Sequence, residues 1–264
     1  MEKQRAQFHY TKMKIEKILF CIATNVKKVK KTKFLIKSIL LSAAKGNVKT
    51  KINLCGHVEP FLKEENVNLI DAKSDAENGM LSKLRFLASE NEDADVFVFV
   101  DDDFVFPPYW IERLISYTQQ KEWSIVGNKI LLPNGHRFWD RCTRKPHRMV
   151  PYNHNEDDDT LYQTGGFWVI SRKCFDDLKW DPSIPINADR KGFAHNEDVE
   201  MSIRAYNKGF KISFDEKNTV WHNDLSYIQT GQVISRIYTN FNQYNFNKEF
   251  LEYLKEIHES EIVT

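Results

Sequence analysis

A chain of 264 residues, 41% apolar and 28% charged, has the composition of a globular protein and the length for one large α/β domain or two small ones. Its net charge of +1 excludes a global field that would recruit nucleic acid or an anionic membrane, so no nucleic-acid partner is expected. No apolar stretch approaches the ~20 residues that span a bilayer, and Met1–Lys17 lacks the apolar region of a signal peptide, which predicts a cytoplasmic protein with peripheral membrane contact at most.

In chain order, residues 1–16 read as a flexible N-terminal segment. Lys17–Ala23 (KILFCIA) reads as a strand ending in Thr24–Asn25, polar residues suited to a ligand-facing turn. The basic run Lys27, Lys28, Lys30, Lys31 and Lys33 leads into a helical pattern over Phe34–Ala44, with Gly46 as its stop. Those lysines read as a solvated helix start, with a phosphate patch as the competing reading. Lys51–Cys55 and Val67–Ile70 are predicted strands, the second ended by Asp71. The cysteines (Cys21, Cys55, Cys142, Cys174) form no C-x-x-C pair, and Cys21 and Cys55 fall in apolar runs as inert core thiols, the pattern of a reducing compartment. Gly79–Glu90 reads as a helix packed on the sheet through Met80, Leu81, Leu84, Leu87 and Ala88. Its Lys83 and Arg85 lie either on a solvated face or within reach of phosphates.

Val96–Val100 (VFVFV) reads as a strand buried on both faces, and Asp101–Asp102–Asp103 follow it directly. In extended chain, residues i and i+2 point the same way, so Asp101 and Asp103 can reach one object. A divalent cation carrying phosphate oxygens suits such a pair, because hard cations take oxygen ligands; the alternative is an acidic turn capping the next helix. Strands alternating with helices predict a mainly parallel sheet, which binds its ligands at the carboxyl ends of its strands. The absence of G-x-G-x-x-G after the first strand and of a G-x-x-x-x-G-K-[ST] loop disfavours dinucleotide and P-loop sites.

Pro107–Gln120 is a predicted helix and Trp123–Gly127 a strand, and periodicity is lost from Asn134–Gly135 to Thr160. Gly165–Gly166 precede the strand Phe167–Ser171, where glycine lets backbone approach a bound molecule. Arg172–Leu178 is a short helix, and Asp181–Gly192 a loop. Glu197 and Asp198 open a helix running to about Asn207; they match the helix dipole, or one of them takes a proton from an acceptor hydroxyl. Lys211–Phe214 and Asn218–Val220 are strand pieces leading to Trp221–His222–Asn223, where His222 is either a structural imidazole or a further ligand of the cation. A helix around Lys248–His258, with Phe250, Leu251, Leu254 and Ile257 on one face, makes a C-terminal helical arm over 226–264.

Taken in order, the strand with Asp101–Asp102–Asp103, the glycine pair, Glu197–Asp198 opening a helix, and His222 resemble the GT-A nucleotide-sugar glycosyltransferases, most closely the family 2-like enzymes. The resemblance implies a Rossmann-related α/β domain over 17–225, with a nucleotide-binding half at 17–127 and an acceptor and catalytic half at 128–225. It implies that Asp103 and His222, with Asp101, hold Mn²⁺ or Mg²⁺ bridging the diphosphate, and that Asp102 supports them. Asp101 would also contact the ribose or base side. Ala23, Thr24, Asn25 and Asp71 match strand ends that line the base pocket, and Gly79–Arg85, with Lys83 and Arg85, stands near the place of the family's glycine–alanine–arginine–asparagine segment. Gly165, Gly166 and Phe167 would face donor sugar and acceptor. Asp198 would be the base of an inverting transfer, with Glu197 contacting acceptor or orienting the site. The implied activity is hexosyl or N-acetylhexosaminyl transfer from a nucleoside-diphosphate sugar, UDP foremost, to a glycan, lipid-linked or protein acceptor. The alternatives are a phosphatase with an aspartyl nucleophile, disfavoured because its motif usually ends the first strand, and a non-catalytic carbohydrate-binding protein of the same fold.

Overall fold

The computed structural model describes residues 14–25, 29–138, 140–143, 160–163, 166–184, 197–223 and 247–259. Among these, β1 (Lys17–Thr24), β2 (Lys49–Gly56), β3 (Val67–Asp71) and β4 (Val96–Asp101) form a parallel block in the order β3-β2-β1-β4. Their β-branched and aromatic runs are buried on both faces, as a sheet covered on both sides requires. The register aligns their carboxyl ends on one edge: Ala23 lies beside Asp101, Thr24 beside Gly56, and Gly56 beside Asp71.

The sheet continues through β9 (Phe167–Ser171), β6 (Ile125–Leu131), β10 (Ile212–His222) and β5 (Phe104–Val105). β9 runs antiparallel to both β4 and β6, and β5 antiparallel to β10, so the mainly parallel sheet carries two reversed strands. Reversal of β9 brings its N-terminal end to the site edge, where the Asp101 amide donates to the Gly166 carbonyl at 3.1 Å. The pairing of His222 with Phe104 then sets the end of β10 beside the acidic turn.

Helices cover both faces. On one lie α1 (Val29–Gly46) and α4 (Trp110–Gln120), over Ile18, Phe20, Val98 and Val169. Ser38 and Ser42 of α1 accept from the Phe106 and Ile111 amides at 3.1 and 3.0 Å, so these polar members of the apolar stripe satisfy donors ahead of and within α4. On the other face lie α3 (Leu81–Ser89), α5 (Arg172–Leu178) and α6 (Glu197–Asn207), over Leu19, Phe97, Phe99 and Trp168. α2 (Lys73–Glu77) precedes α3, and α7 (Lys248–Glu259) buries Phe250 and Ile257 with Val105, Leu131 and Trp221.

Several boundaries differ from the sequence reading. α1 ends at Gly46 as expected, but the left-handed residue that stops it is Asn47 (φ 49°); the absent side chain of Gly46 instead leaves room for Ile111, since a Cβ there would lie 2.6 Å from Ile111 Cγ2. The two pieces read after Lys211 are one strand with a bulge between Asp215 and Thr219, where the buried Asp215 carboxylate accepts from the Lys217 and Asn218 amides. α4 begins three residues after Pro107. The aperiodic stretch after Asn134 holds β7 (Arg141–Thr143) and β8 (Thr160–Gln163), a small antiparallel pair.

Candidate functional site

The acidic turn is held from three sides. Asp102 is buried and accepts from Thr24 Oγ1 at 2.8 Å, which ties the end of β1 to the turn. Asp103 is 1% exposed, and its carbonyl accepts from the Asn223 amide at 2.6 Å. His222 Nε2 lies 3.6 Å from Asp103 Oδ1, its ring stacked on Phe138 (4.4 Å between centroids) and edge-on to Phe104 (5.0 Å). Two aromatic rings thus fix the imidazole plane against the carboxylate, although the residues come from β10 and the turn after β4.

Asp101 has an open side, its side chain 35% exposed. Its Oδ1 accepts from Arg85 Nη2 at 3.1 Å, and a Cβ on Gly166 would lie 3.4 Å from its Oδ2 and 3.2 Å from the Phe104 ring. Glycine at 166 is therefore what lets β9 enter beside Asp101. Arg85, read from sequence as solvated or phosphate-facing, is 1% exposed: Nη1 donates to Glu197 Oε1 at 3.0 Å, and the guanidinium lies 4.9 Å over the Trp180 ring. Burial pushes the Glu197 carboxyl up to about 7 against the pull of Arg85, and the Asp198 and Asp101 charges add to the rise. Asp198, half-buried beside it, accepts from the Val199 amide at 2.8 Å.

The remaining expected residues divide. Ala23, Thr24 and Asp71 lie at the aligned strand ends, Asn25 follows them exposed, and Asp71 accepts from the Lys73 amide at 3.2 Å. Lys83 pairs with Asp75 at 2.8 Å, on the flank of α3 away from Arg85's partners. Phe167 differs from the expectation that it faces sugar: it is fully buried, packed with Phe104, Phe106 and Trp110, because β9 turns this side chain into the core. Gly165 lies outside the described residues. Sequence reasoning missed Trp180, Phe104 and Phe138, whose roles come from contacts between distant segments; nothing in their local pattern marks them.

Among the described residues no group of three or more His, Cys, Asp or Glu side chains forms a site for a metal ion. Asp103 and His222 nevertheless offer a hard oxygen and an imidazole nitrogen, a donor pair of the kind that holds Mg²⁺ or Mn²⁺ when substrate phosphates supply further ligands. Among the described residues no helix is long and apolar enough to cross a membrane.

Solved structures share this fold. S. aureus TarS 1-349 in complex with UDP matches with a TM-score of 0.58 at 12% identity, over 79% of this chain and 60% of that one. GalNAc-T7 with UDP, GalNAc and Mn2+ matches at 0.56 and 15%, over 80% of this chain and 43% of that one. The inositol-1-phosphate CTP transferase from T. maritima matches at 0.52 and 14%, over 93% and 97%. This chain thus spans about three fifths of the TarS structure and less than half of GalNAc-T7. Among curated proteins none matches the chain. The sheet and its flanking helices are those of the GT-A fold. The family model described as "Glycosyltransferase like family 2" matches residues 38–236, most of the chain and every element that carries the site from α3 to His222; the chain belongs to that family.

Proposed function

We propose that the chain transfers a sugar from a nucleoside-diphosphate sugar, UDP foremost, to an acceptor hydroxyl with the help of a divalent cation, and that the transfer inverts the anomeric centre. The observation that carries this is the approach of His222 to Asp103 at 3.6 Å, beside an Asp101 that is partly open, at the carboxyl edge of the sheet. The names of the fold neighbours, two of them bound to UDP, support the choice of donor base.

In this reading Asp103 and His222 hold Mn²⁺ or Mg²⁺, with Asp101 on the nucleotide side. A cation held there would supply positive charge to offset that of the departing nucleoside diphosphate. Ala23, Thr24, Asn25 and Asp71 form the rim for base and ribose, and Gly165 and Gly166 face the donor sugar in this proposal. Asp198, on the first turn of α6 and half-buried beside Glu197, takes the proton from the acceptor hydroxyl as it attacks. The donor is a hexosyl or N-acetylhexosaminyl nucleotide, and the acceptor a glycan, a lipid-linked saccharide or a protein. The proposed setting is the cytoplasm.

A panel of nucleotide sugars, scored by release of free nucleoside diphosphate with Mn²⁺ and with chelator, tests the proposal. Release from one or a few UDP-sugars that stops on chelation is the expected result. Release of inorganic phosphate from an aryl phosphate, with no donor consumed, would assign a phosphatase instead. Glycan binding without donor turnover would leave a carbohydrate-binding protein.

A further inference from the structure

Arg85 stands apart from the donor-binding roles just described. Its guanidinium is sealed from solvent, lies over Trp180, and divides its two terminal nitrogens between carboxylates of different segments: Asp101 at the end of β4 and Glu197 at the start of α6. A cation 1% exposed and already engaged by two carboxylates is poorly placed to ligate a diphosphate. Glu197 is itself 3% exposed, and among the described residues its Oε2 has no hydrogen-bond partner. Its carboxylate therefore meets the fold through Oε1 and Arg85, and that contact ties the first turn of α6, which carries Asp198, to the turn that carries Asp101 and Asp103.

We infer that Arg85 is a positioning residue: it clamps Asp101 to Glu197, so that the nucleotide side and the acceptor side of the cleft are set by one buried guanidinium. The clamp deepens the glycosyltransferase reading and rests on it for its functional consequence, but not for its existence. Removing either arm releases both segments, because each carboxylate holds its partner through the same cation. Loss of the clamp loosens Asp101 and, on the same turn, Asp103, so binding of the nucleoside falls and binding of the diphosphate with Mn²⁺ falls at least as far.

The test uses the full chain and four variants: Arg85→Lys, Glu197→Met, the two combined, and Glu197→Gln, whose amide oxygen keeps an acceptor for Nη1. Hydrogen exchange without ligand is read at residues 101–104, 197–201 and, as reference, 49–56. Arg85→Lys and Glu197→Met should each speed exchange several-fold in the first two segments and leave the reference unchanged. Affinity for uridine with Mn²⁺ should fall about tenfold, in the range of measured couplings between contacting residues, and affinity for UDP with Mn²⁺ by at least as much. The double variant should be no weaker than the weaker single one, and Glu197→Gln should stay within about twofold of the parent, the coupling being small where the hydrogen bond survives. Loss of UDP affinity with uridine affinity kept would make Arg85 a phosphate ligand and overturn the clamp. So would effects that multiply in the double variant, or exchange that rises equally in the reference strand, as for a generally structural residue. If the parent binds neither UDP nor uridine while the exchange pattern holds, the donor assignment falls and the clamp stands.

Discussion

His222, held between Phe104 and Phe138, faces Asp103, and in the proposed reading replacing that carboxylate would remove one of the two side chains that hold the cation. Asp103→Ala is expected to abolish the Mn²⁺-dependent part of UDP binding, measured by calorimetry with and without chelator; unchanged affinity would remove Asp103 from the site. Asp198→Asn should leave that binding intact and lower transfer by roughly 10²–10⁴, the range for loss of a general base. Glu197 gives a pH signature. Its folded-state value, about 7, lies above the ordinary 4.5, so the fold favours the protonated form. That contribution is full below about pH 4.5 and is lost as pH rises through about 7, with an upper bound of about 3 kcal/mol. The Tm of Glu197→Gln relative to the parent should therefore rise as pH increases from about 5 to about 8. The acidic turn after β4 was legible in sequence because it is local, but the i, i+2 reading assumed extended chain, whereas Asp102 and Asp103 lie in a turn. Burial of Arg85 was not: an arginine on an amphipathic helix reads as solvated, and its partners lie on β4, on α6 and at Trp180.

β9 is the element that decides what lies beside Asp101. Entering antiparallel between β4 and β6, it sets Gly166 against Asp101 and Phe104 and drives Phe167 into the core. Gly166→Ala should cost about 1–3 kcal/mol of stability, as overpacking does, and should weaken UDP binding through displacement of Asp101; an unchanged denaturation midpoint would show that the neighbours give way freely. The apolar run of β9 was readable as a strand, and its glycines as a close approach. Its direction was not, since pairing partners are chosen by the whole sheet. The same holds for β10, read as two strand pieces but formed as one strand with a bulge stabilised by Asp215.

For the whole molecule, α7 closes the edge of the sheet next to the site. Phe250 packs on Trp221 at 5.1 Å between centroids, one residue before His222, and Lys45 of α1 pairs with Glu256 at 2.9 Å. Phe250→Ala should destabilise the fold by about 3–5 kcal/mol, as truncation of a buried phenylalanine does, read from chemical denaturation. The effect should reach His222 through Trp221, so metal-dependent binding should weaken with it. Both core thiols near the parallel block, Cys21 and Cys55, are buried and pushed upward, Cys55 to about 12, which agrees with their reading as inert packing groups.

Sequence by itself determined the strands and helices whose apolar periodicity is continuous, the acidic turn after β4, and the order of motifs that marks the family, because each depends on neighbours within a few residues. Only the tertiary structure decided which way β9 runs, that Arg85 is enclosed between two carboxylates, and that an imidazole from the end of β10 faces Asp103. Those outcomes depend on which segments the sheet brings side by side. No local pattern encodes them, since the energy of a buried charge is set by the partners that reach it from elsewhere in the chain.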